Sequence, residues 1–168
     1  MTGLVVALAL LAVALFAAAW AVARTTGVRA RVVASDTGDS QDPTLVDETL
    51  RLRGRPDYIV RERAGLVPIE VKPGRRATTL YESDRMQLVA YLLLVRATEP
   101  GRFAGYGRVR YARAEFVVTL TAALERRCLD LAARVRAARR AEDVHRTHDL
   151  AVKCRSCAVR AACGEALV

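Results

Sequence analysis

A stretch of nineteen residues, from Gly54 to Lys72, constrains the fold of this chain more than any other segment. It predicts a β-hairpin, because β-forming residues are followed by a polar turn that ends in glycine and then by a strictly alternating segment. Side chains on a strand alternate between faces, so Glu70 and Lys72 share one face and the apolar residues of that strand share the other. Asp57 opens the partner strand, and the hairpin therefore brings its carboxylate beside Glu70.

Two carboxylates and an amine at the end of a small sheet suit phosphodiester chemistry. Paired carboxylates bind Mg²⁺ or Mn²⁺ and leave positions open for water and phosphate oxygens. The metal lowers the pKa of a bound water and stabilises the charge that develops on the phosphate, while Lys72 can position or activate that water. The alternative is an exposed hairpin with an ordinary glutamate and lysine on its wet face. The full order, Gly-x-Pro-Asp and then Pro-x-Glu-x-Lys, favours the metal site.

An apolar helix is predicted shortly after the hairpin, capped by Ser83 and running to about Arg96. Gln87 and Tyr91 are four residues apart and share one face of this helix. Because a buried polar pair needs polar partners, we interpret the two as neighbours of the carboxylates; the alternative is a pair at the rim that faces water. The basic loop Pro73–Thr79 lies between hairpin and helix, and it either contacts a phosphate backbone or is solvated.

Further strands and a second helix complete the predicted core. The additional strands are a short one at Val32 and Val33, Thr49–Arg53, Tyr106–Tyr111 and Glu115–Leu120. The first two are expected to join the hairpin in one antiparallel sheet.

The second helix is predicted from Thr121 to about Val144. Its apolar residues repeat at a spacing that faces a core: Leu124, Cys128, Leu131, Val135 and Ala138. We therefore interpret Cys128 as a core residue. The arginines on the other faces of this helix contact either DNA or, as is more common, water.

Arginine carries nearly all of the positive charge. The formal net charge is +9, and lysine occurs only at Lys72 and Lys153. The planar arginine fork suits phosphate, and a basic balance favours nucleic acid or an anionic membrane surface as partner. A general preference for arginine codons explains the same composition equally well. The scarcity of lysine strengthens the interpretation of Lys72, which lies in the hairpin motif.

The N-terminal segment is predicted to be a membrane anchor. Residues 4–22 are almost entirely apolar and uncharged, and that length spans a bilayer as a helix. Arg24, Arg29 and Arg31 follow at once, and the positive-inside rule then places the rest of the chain in the cytoplasm. A cleaved signal peptide is the alternative, with a small-residue site at Ala21–Ala23, but the basic region that should precede it is missing.

Three cysteines near the C-terminus predict a metal centre. Cys154 and Cys157 are separated by two residues, a spacing that lets two thiolates reach one metal, and Cys163 supplies a third. A cytoplasmic compartment argues against disulfides. His148 is the preferred fourth ligand, which would give a zinc site, and His145 is the lesser candidate. If Cys128 supplied the fourth ligand instead, an iron–sulfur cluster would become possible. The alternative is three unligated thiols.

These motifs, taken in order, resemble those of the PD-(D/E)XK nuclease superfamily, and within it the CRISPR-associated RecB-like exonucleases, the fourth Cas protein. The matching residues are Gly54 and Asp57, Glu70 and Lys72, Gln87 and Tyr91, and finally Cys154, Cys157 and Cys163. The resemblance covers roughly residues 50–163. It implies an α/β fold with a small mixed central sheet flanked by helices, the restriction-endonuclease-like core.

The resemblance also implies functional roles. Asp57 and Glu70 would bind Mg²⁺ or Mn²⁺ with the Val71 carbonyl as a third ligand, Lys72 would position the attacking water, and Gln87 and Tyr91 would support the site and contact DNA. The cysteine spacing would hold an iron–sulfur cluster, with a fourth cysteine ahead of the nuclease core. This chain departs from the family in two ways: it lacks that cysteine, and it lacks a histidine anywhere before His145.

The sequence therefore predicts a membrane-anchored, metal-dependent DNA exonuclease. The predicted regions are an anchor at 1–23, a linker and entry to the sheet at 24–48, a nuclease core at 49–144 and a cysteine-rich metal segment, with zinc or an iron–sulfur cluster, at 145–168. The alternative is a catalytically inactive DNA-binding or adaptor module of the same fold. A purely structural metal module would leave Asp57, Glu70 and Lys72 unexplained.

Overall fold

The computed structural model of the protein describes Val13, residues 31–35 and residues 44–167. The strands, in chain order, are β1 (Arg31–Ser35), β2 (Leu45–Asp47), β3 (Leu52–Gly54), β4 (Tyr58–Glu62), β5 (Gly65–Lys72), β6 (Tyr106–Tyr111) and β7 (Glu115–Thr119). The helices are α1 (Glu82–Thr98), between β5 and β6, and then α2 (Ala122–Ala138) and α3 (Ala151–Arg155). Short 3-10 turns lie at Pro100–Arg102 and Arg160–Ala162. The chain divides into two compact units, residues 1–129 and 130–168.

A five-stranded mixed sheet, in the order β1-β4-β5-β6-β7, forms the centre of the first unit. Strands β5 and β6 run parallel and the other neighbours run antiparallel. The parallel pair is possible because α1 makes the crossover between its two strands, as a parallel connection requires. This α/β arrangement fits the predicted restriction-endonuclease-like core, and the predicted hairpin is confirmed as β4 and β5.

Helix α1 is buried on nearly all sides. Leu88, Leu92, Leu93 and Leu94 have no exposed surface. The helix packs on β5 and β6 of the central sheet and also on β2 and β3, which form a separate two-stranded sheet. A helix enclosed in this way is apolar all round rather than on one stripe, and this explains the nearly continuous apolar run from 88 to 95.

Both faces of β5 are buried. Val67 and Ile69 pack with Val60 of β4 on one face. On the other face Leu66 packs with Val95 of α1, and Glu70 is only 3 % exposed. The alternative of an exposed hairpin with Glu70 facing water is therefore wrong, because α1 covers that face of β5.

The segment before the hairpin differs from the prediction. Thr49–Arg53 was expected to be one strand of the main sheet, but it contains a turn in which the Leu50 N–H donates to the Asp47 carboxylate at 2.5 Å. Arg51 then adopts a left-handed conformation with φ of 53°. This turn joins β2 to β3, which pair with each other, while β1 pairs with β4. The prediction that β1 joins the hairpin in an antiparallel pairing is thus confirmed, whereas the strand that leads into the hairpin, β3, lies in a separate two-stranded sheet.

Two helix predictions need correction. Helix α1 begins at Glu82, and its N-cap residue is Tyr81 rather than Ser83. Helix α2 ends at Ala138 rather than near Val144. The predicted core stripe of α2 is buried only as far as Cys128, and Leu131 and Val135 are exposed. The reason is that the residues of α2 that pack against the core cluster end at Leu129, whereas the apolar spacing continues beyond it.

The predicted membrane anchor, residues 4–22, lies outside the described residues apart from Val13. Within residues 31–35 and 44–167, no helix has both the length and the apolar character needed to span a bilayer.

Candidate active site

The hairpin places Asp57 beside the end of β5. Tyr58 pairs with Ile69, so Asp57 lies one position further, opposite Glu70. The Val71 N–H donates to Asp57 Oδ2 at 2.6 Å. This bond fixes the carboxylate at the strand end, because the backbone donor belongs to the central strand of the sheet.

Glu70 has two very different carboxylate oxygens. Its Oε1 accepts hydrogen bonds from Lys72 Nζ at 2.6 Å and from Gln87 Nε2 at 2.8 Å. Its Oε2 is buried and has no hydrogen-bond partner among the described residues. Burial raises the pKa of Glu70, and the neighbouring charge of Asp57 acts in the same direction. An unsatisfied buried oxygen on a carboxylate is costly and needs a physical explanation.

Lys72 pairs with Glu70 at the edge of the site, with its side chain 28 % exposed. Burial acts to lower the pKa of Lys72, but the hydrogen bond that Lys72 donates to Glu70 and the charges of Glu70, Asp84 and Asp57 outweigh it and raise the pKa. The amine is therefore a fixed positive charge at neutral pH in this state.

Gln87 and Tyr91 of α1 are linked to Glu70 by hydrogen bonds. The amide nitrogen Nε2 of Gln87 carries two hydrogens. It donates one to Glu70 Oε1 and one to the Tyr91 hydroxyl oxygen at 2.9 Å. Burial raises the pKa of Tyr91. The four-residue spacing thus brings both side chains to the carboxylate, and the alternative of a rim pair facing water is wrong.

Gly54 leaves room for the Tyr91 ring. A Cβ atom at Gly54 would lie 2.8 Å from Tyr91 Cε1 and 2.9 Å from both Tyr91 Cδ1 and Leu94 Cδ1. Only a residue without a side chain permits this approach of β3 to α1. Sequence reasoning placed Gly54 in a motif but gave it no role, because the contact depends on the packing of β3 against α1.

A second buried carboxylate beside Glu70, that of Asp84, was missed by sequence reasoning. It is 3 % exposed, it pairs with Arg75 Nε at 2.7 Å, and it accepts a hydrogen bond from the Tyr111 hydroxyl at 2.6 Å. Its charge contributes to the raised pKa values of Glu70 and Lys72, so it lies near both. An aspartate in the first turn of a helix is usually explained by the helix dipole, and only its spacing of three from Gln87 hinted at another role.

A family model described as the PD-(D/E)XK nuclease superfamily matches residues 5–164. This chain belongs to the PD-(D/E)XK nuclease superfamily. The match covers almost the whole chain, and it agrees with the hairpin that carries Asp57, Glu70 and Lys72 in the order of the superfamily motif.

Two individual proteins are similar to this PD-(D/E)XK chain. A CRISPR-associated exonuclease Cas4/endonuclease Cas1 fusion from Myxococcus xanthus (strain DK1622) is 32 % identical over 144 residues, which are 82 % of this chain and 25 % of the relative. The chain therefore spans about a quarter of that protein. The crystal structure of a protein designated SSO0001 has a TM-score of 0.50 and 24 % identity, covering 69 % of this chain and 52 % of the other. The second likeness supports the fold.

The PD-(D/E)XK site has the donor chemistry that a hard cation prefers. No three His, Cys, Asp or Glu side chains approach closely enough to hold a metal within residues 31–35 and 44–167. Mg²⁺, however, is commonly held by one or two carboxylates together with waters and substrate phosphates. Asp57 and Glu70 fit that description, and a cation would satisfy Glu70 Oε2, which has no partner in the part of the chain that the structure describes.

The C-terminal cysteines lie in the second unit. Cys154 is buried, and its sulfur accepts a hydrogen bond from the Leu167 N–H at 3.4 Å; Cys157 is exposed and Cys163 is half-buried. All are free thiols. In the described part of the chain these sulfurs are not gathered around a common point.

The two histidine candidates make separate contacts. The Leu150 N–H donates to His148 Nδ1 at 3.3 Å, so a ligand role would fall to Nε2. His145 pairs with Glu165 at 2.8 Å, and that hydrogen bond raises the pKa of His145. Cys128 lies in the first unit, where its thiol donates to the Met86 carbonyl at 3.9 Å and is 5 % exposed. The interpretation of Cys128 as a core residue is confirmed.

Proposed function

We propose that this protein is a metal-dependent DNA nuclease that hydrolyses phosphodiester bonds. The observation that carries the proposal is Glu70 Oε2, a buried carboxylate oxygen without a partner among the described residues, next to Asp57 and Lys72. Nearly every buried polar atom in a native protein is satisfied. A cation between Asp57 and Glu70 would satisfy this one.

Mg²⁺ or Mn²⁺ would be held by Asp57 and Glu70, with the Val71 carbonyl as the third protein ligand; when bound, the metal lowers the pKa of water and stabilises charge on the phosphate. Lys72 would orient the attacking water and neutralise charge on the phosphate. Gln87 holds Glu70 through Oε1, which would leave Oε2 available to a bound cation. Tyr91 holds Gln87 in turn.

A cleavage assay on the full chain with Mn²⁺ tests this proposal. The substrate is a labelled duplex with a single-stranded overhang, and the matched control is the Lys72→Ala variant. Cleavage by the wild type that is lost in Lys72→Ala supports the nuclease. The second candidate, an inactive DNA-binding module, is favoured by the absence of any histidine before His145. DNA binding without cleavage by the wild type would select that candidate.

We propose that the cleavage is exonucleolytic. The Myxococcus relative is named as an exonuclease joined to an endonuclease Cas1, and this chain corresponds to only a quarter of it. The same assay decides the question when one end of the substrate is labelled, because an exonuclease produces a ladder that shortens from an end and an endonuclease produces internal fragments.

The cysteines are proposed to bind one metal centre. Cys154, Cys157 and Cys163 fall within ten residues of a short unit, and thiolates suit zinc or an iron–sulfur cluster. We expect about one equivalent of zinc, or an absorbing iron–sulfur chromophore, in anaerobically purified protein, and loss of either in a Cys154→Ser/Cys157→Ser double variant. Because metal binding is linked to folding, the variant should also melt at a lower temperature. Full metal content in the double variant would refute the site, and His148→Ala tests the fourth ligand.

Residues 4–22 are proposed to anchor the protein in the cell membrane as a single span, with the nuclease domain in the cytoplasm. The support is the apolar length and the arginines that follow it. We expect a reporter fused after Val168 to be active only when it is of a kind that functions in the cytoplasm. Activity of a reporter that functions only outside the cytoplasm would show that the topology is reversed.

A further inference from the structure

We propose that Arg75 is a phosphate-binding residue that the buried carboxylate of Asp84 holds ready beside the active site. The inference rests on the proposed nuclease function and adds a substrate contact to it. Arg75 belongs to the loop that leaves β5 directly after Lys72, so a DNA strand at the Asp57–Glu70 site would pass close to it.

The guanidinium of Arg75 is held in one plane by two different contacts. Its Nε lies 2.7 Å from Asp84 Oδ2 and its Nη2 lies 3.3 Å from Asp84 Oδ1. Its central carbon also lies 4.6 Å from the centre of the Tyr81 ring, a cation–π distance. Neither contact uses Nη1, and the side chain is 41 % exposed. Asp84 therefore fixes the Nε–Nη2 edge of a half-exposed guanidinium, and Nη1 is left for a further ligand.

Asp84 itself is fixed by the core. The Tyr111 hydroxyl donates to Asp84 Oδ2 at 2.6 Å and accepts from the Tyr81 N–H at 3.0 Å. Because Asp84 is 3 % exposed, its carboxylate stays in place and the arginine side chain comes to it. A buried carboxylate is costly unless it is paired, so Asp84 strongly favours a single position for Arg75.

The backbone of Arg75 is tied to the active-site strand. The Arg75 N–H donates to the Lys72 carbonyl at 3.0 Å, and the Ala112 N–H donates to the Arg75 carbonyl at 2.9 Å. The turn that carries the guanidinium is thus anchored to the ends of both β5 and β6. A cation on a fixed turn loses little entropy when it contacts a ligand.

The neighbouring Arg76 provides an internal contrast. It lies in the same loop and is exposed, but no ion pair, hydrogen bond or ring contact is found for it in the described part of the chain. If the loop supplied only positive charge, we would expect Arg75 and Arg76 to have similar surroundings. Asp84 takes the Nε–Nη2 edge of Arg75, so a phosphate would bind the remaining Nη1 side of a guanidinium that is already held in its plane.

A DNA-binding series on the full chain tests the inference. The probe is a fluorescein-labelled duplex with a single-stranded overhang, and anisotropy is measured without added Mg²⁺ or Mn²⁺ at several salt concentrations so that no cleavage occurs. We expect Arg75→Ala to weaken binding about tenfold and to reduce the salt slope by about one, as for loss of one phosphate contact. We expect Arg76→Ala to change affinity by less than about threefold.

The Asp84→Asn variant distinguishes the effect of holding Arg75 in place from the effect of the negative charge of Asp84 on DNA binding. It removes a negative charge near DNA, so simple electrostatics predicts tighter binding, whereas loss of the fixed arginine predicts weaker binding by about three- to tenfold. Arg75→Lys supplies a second comparison that does not disturb Asp84 as a buried charge, since it keeps the positive charge and loses the fork. We expect its affinity to lie between those of wild type and Arg75→Ala.

Several results would overturn the inference. They are equal losses in Arg75→Ala and Arg76→Ala, tighter binding by Asp84→Asn, wild-type affinity of Arg75→Lys, and an Arg75→Ala variant that only melts at a lower temperature. The nuclease proposal fails separately, when wild-type protein binds the probe but does not cleave it with Mn²⁺; the comparison of Arg75 with Arg76 still stands in that case. A wild type that does not bind the probe overturns both.

Discussion

We expect the Glu70→Gln variant to lose metal-dependent cleavage by on the order of 1,000-fold while it still binds DNA. Glutamine keeps the shape of the side chain and an oxygen that can accept from Gln87 and Lys72. It removes the negative charge at Oε2, where the cation is proposed to bind. Several kcal/mol of transition-state stabilisation depend on the metal, and about 1.4 kcal/mol corresponds to a factor of ten in rate.

DNA binding and folding are the controls for this variant. Affinity depends mainly on phosphate contacts and should persist. Burial raises the pKa of Glu70 above its ordinary value of 4.5, so the folded protein loses stability as the pH rises from 4.5 through the raised pKa and regains it as the pH falls back through that window. Since glutamine is neutral, the metal-free variant should melt at the same temperature as the wild type or higher at neutral pH.

Asp57→Asn is the matched second variant, because it keeps an acceptor for the Val71 N–H and removes the other charge. We expect a similar loss of cleavage. If both variants cleave as fast as the wild type in preparations free of contaminating nuclease, the assignment of the metal to these carboxylates is wrong.

The second large effect is expected from Gly54→Ala. The added methyl would overlap the Tyr91 ring at 2.8 Å and Leu94 at 2.9 Å, a separation that Cβ atoms do not tolerate. The ring sits in a packed core and has little room to move, so we expect a loss of about 1–3 kcal/mol in the free energy of unfolding, as for other overpacked sites. Displacement of Tyr91 also removes a partner of Gln87 and disturbs Glu70, and we expect cleavage to fall by about 10- to 100-fold.

Gly74→Ala is the control for the glycine substitution itself, because a Cβ at Gly74 meets no atom within 4 Å. It should leave stability and cleavage nearly unchanged. Tyr91→Phe separates the loss of stability from the loss of activity that Gly54→Ala is expected to cause. It removes the hydroxyl that accepts from Gln87 without moving the ring. Denaturant unfolding and single-turnover cleavage measure both quantities. A Gly54→Ala variant with wild-type stability and activity would show that the ring moves freely, contrary to the packing.

The hairpin could be predicted because its signals are local. The alternation of β5, the glycine at the turn and the order of Asp57, Glu70 and Lys72 all lie within nineteen residues, and alternation alone assigns side chains to faces. The spacing of Gln87 and Tyr91 on one helix face is local in the same sense. The spacing alone does not show which element packs against that face of the helix.

Burial and partner choice depended on residues that are distant in sequence. Glu70 is desolvated because α1 covers its face of the sheet, although the strand pattern alone allowed a wet face. Tyr111 contacts Asp84 from the end of β6, which lies parallel to β5, and Arg75 contacts it from the loop after β5. No periodicity in α1 indicates either contact.

The sequence by itself predicted Asp57, Glu70 and Lys72 on one hairpin and Gln87 and Tyr91 on one face of the following helix, in that order along the chain. The tertiary structure decided that β3 pairs with β2 rather than with the hairpin, that Gly54 must lack a side chain, and that one oxygen of Glu70 has no partner among the described residues. The physical reason is that periodicity fixes where a side chain points, whereas solvation and hydrogen bonding depend on which element packs against it. That packing follows from the whole fold rather than from any single segment.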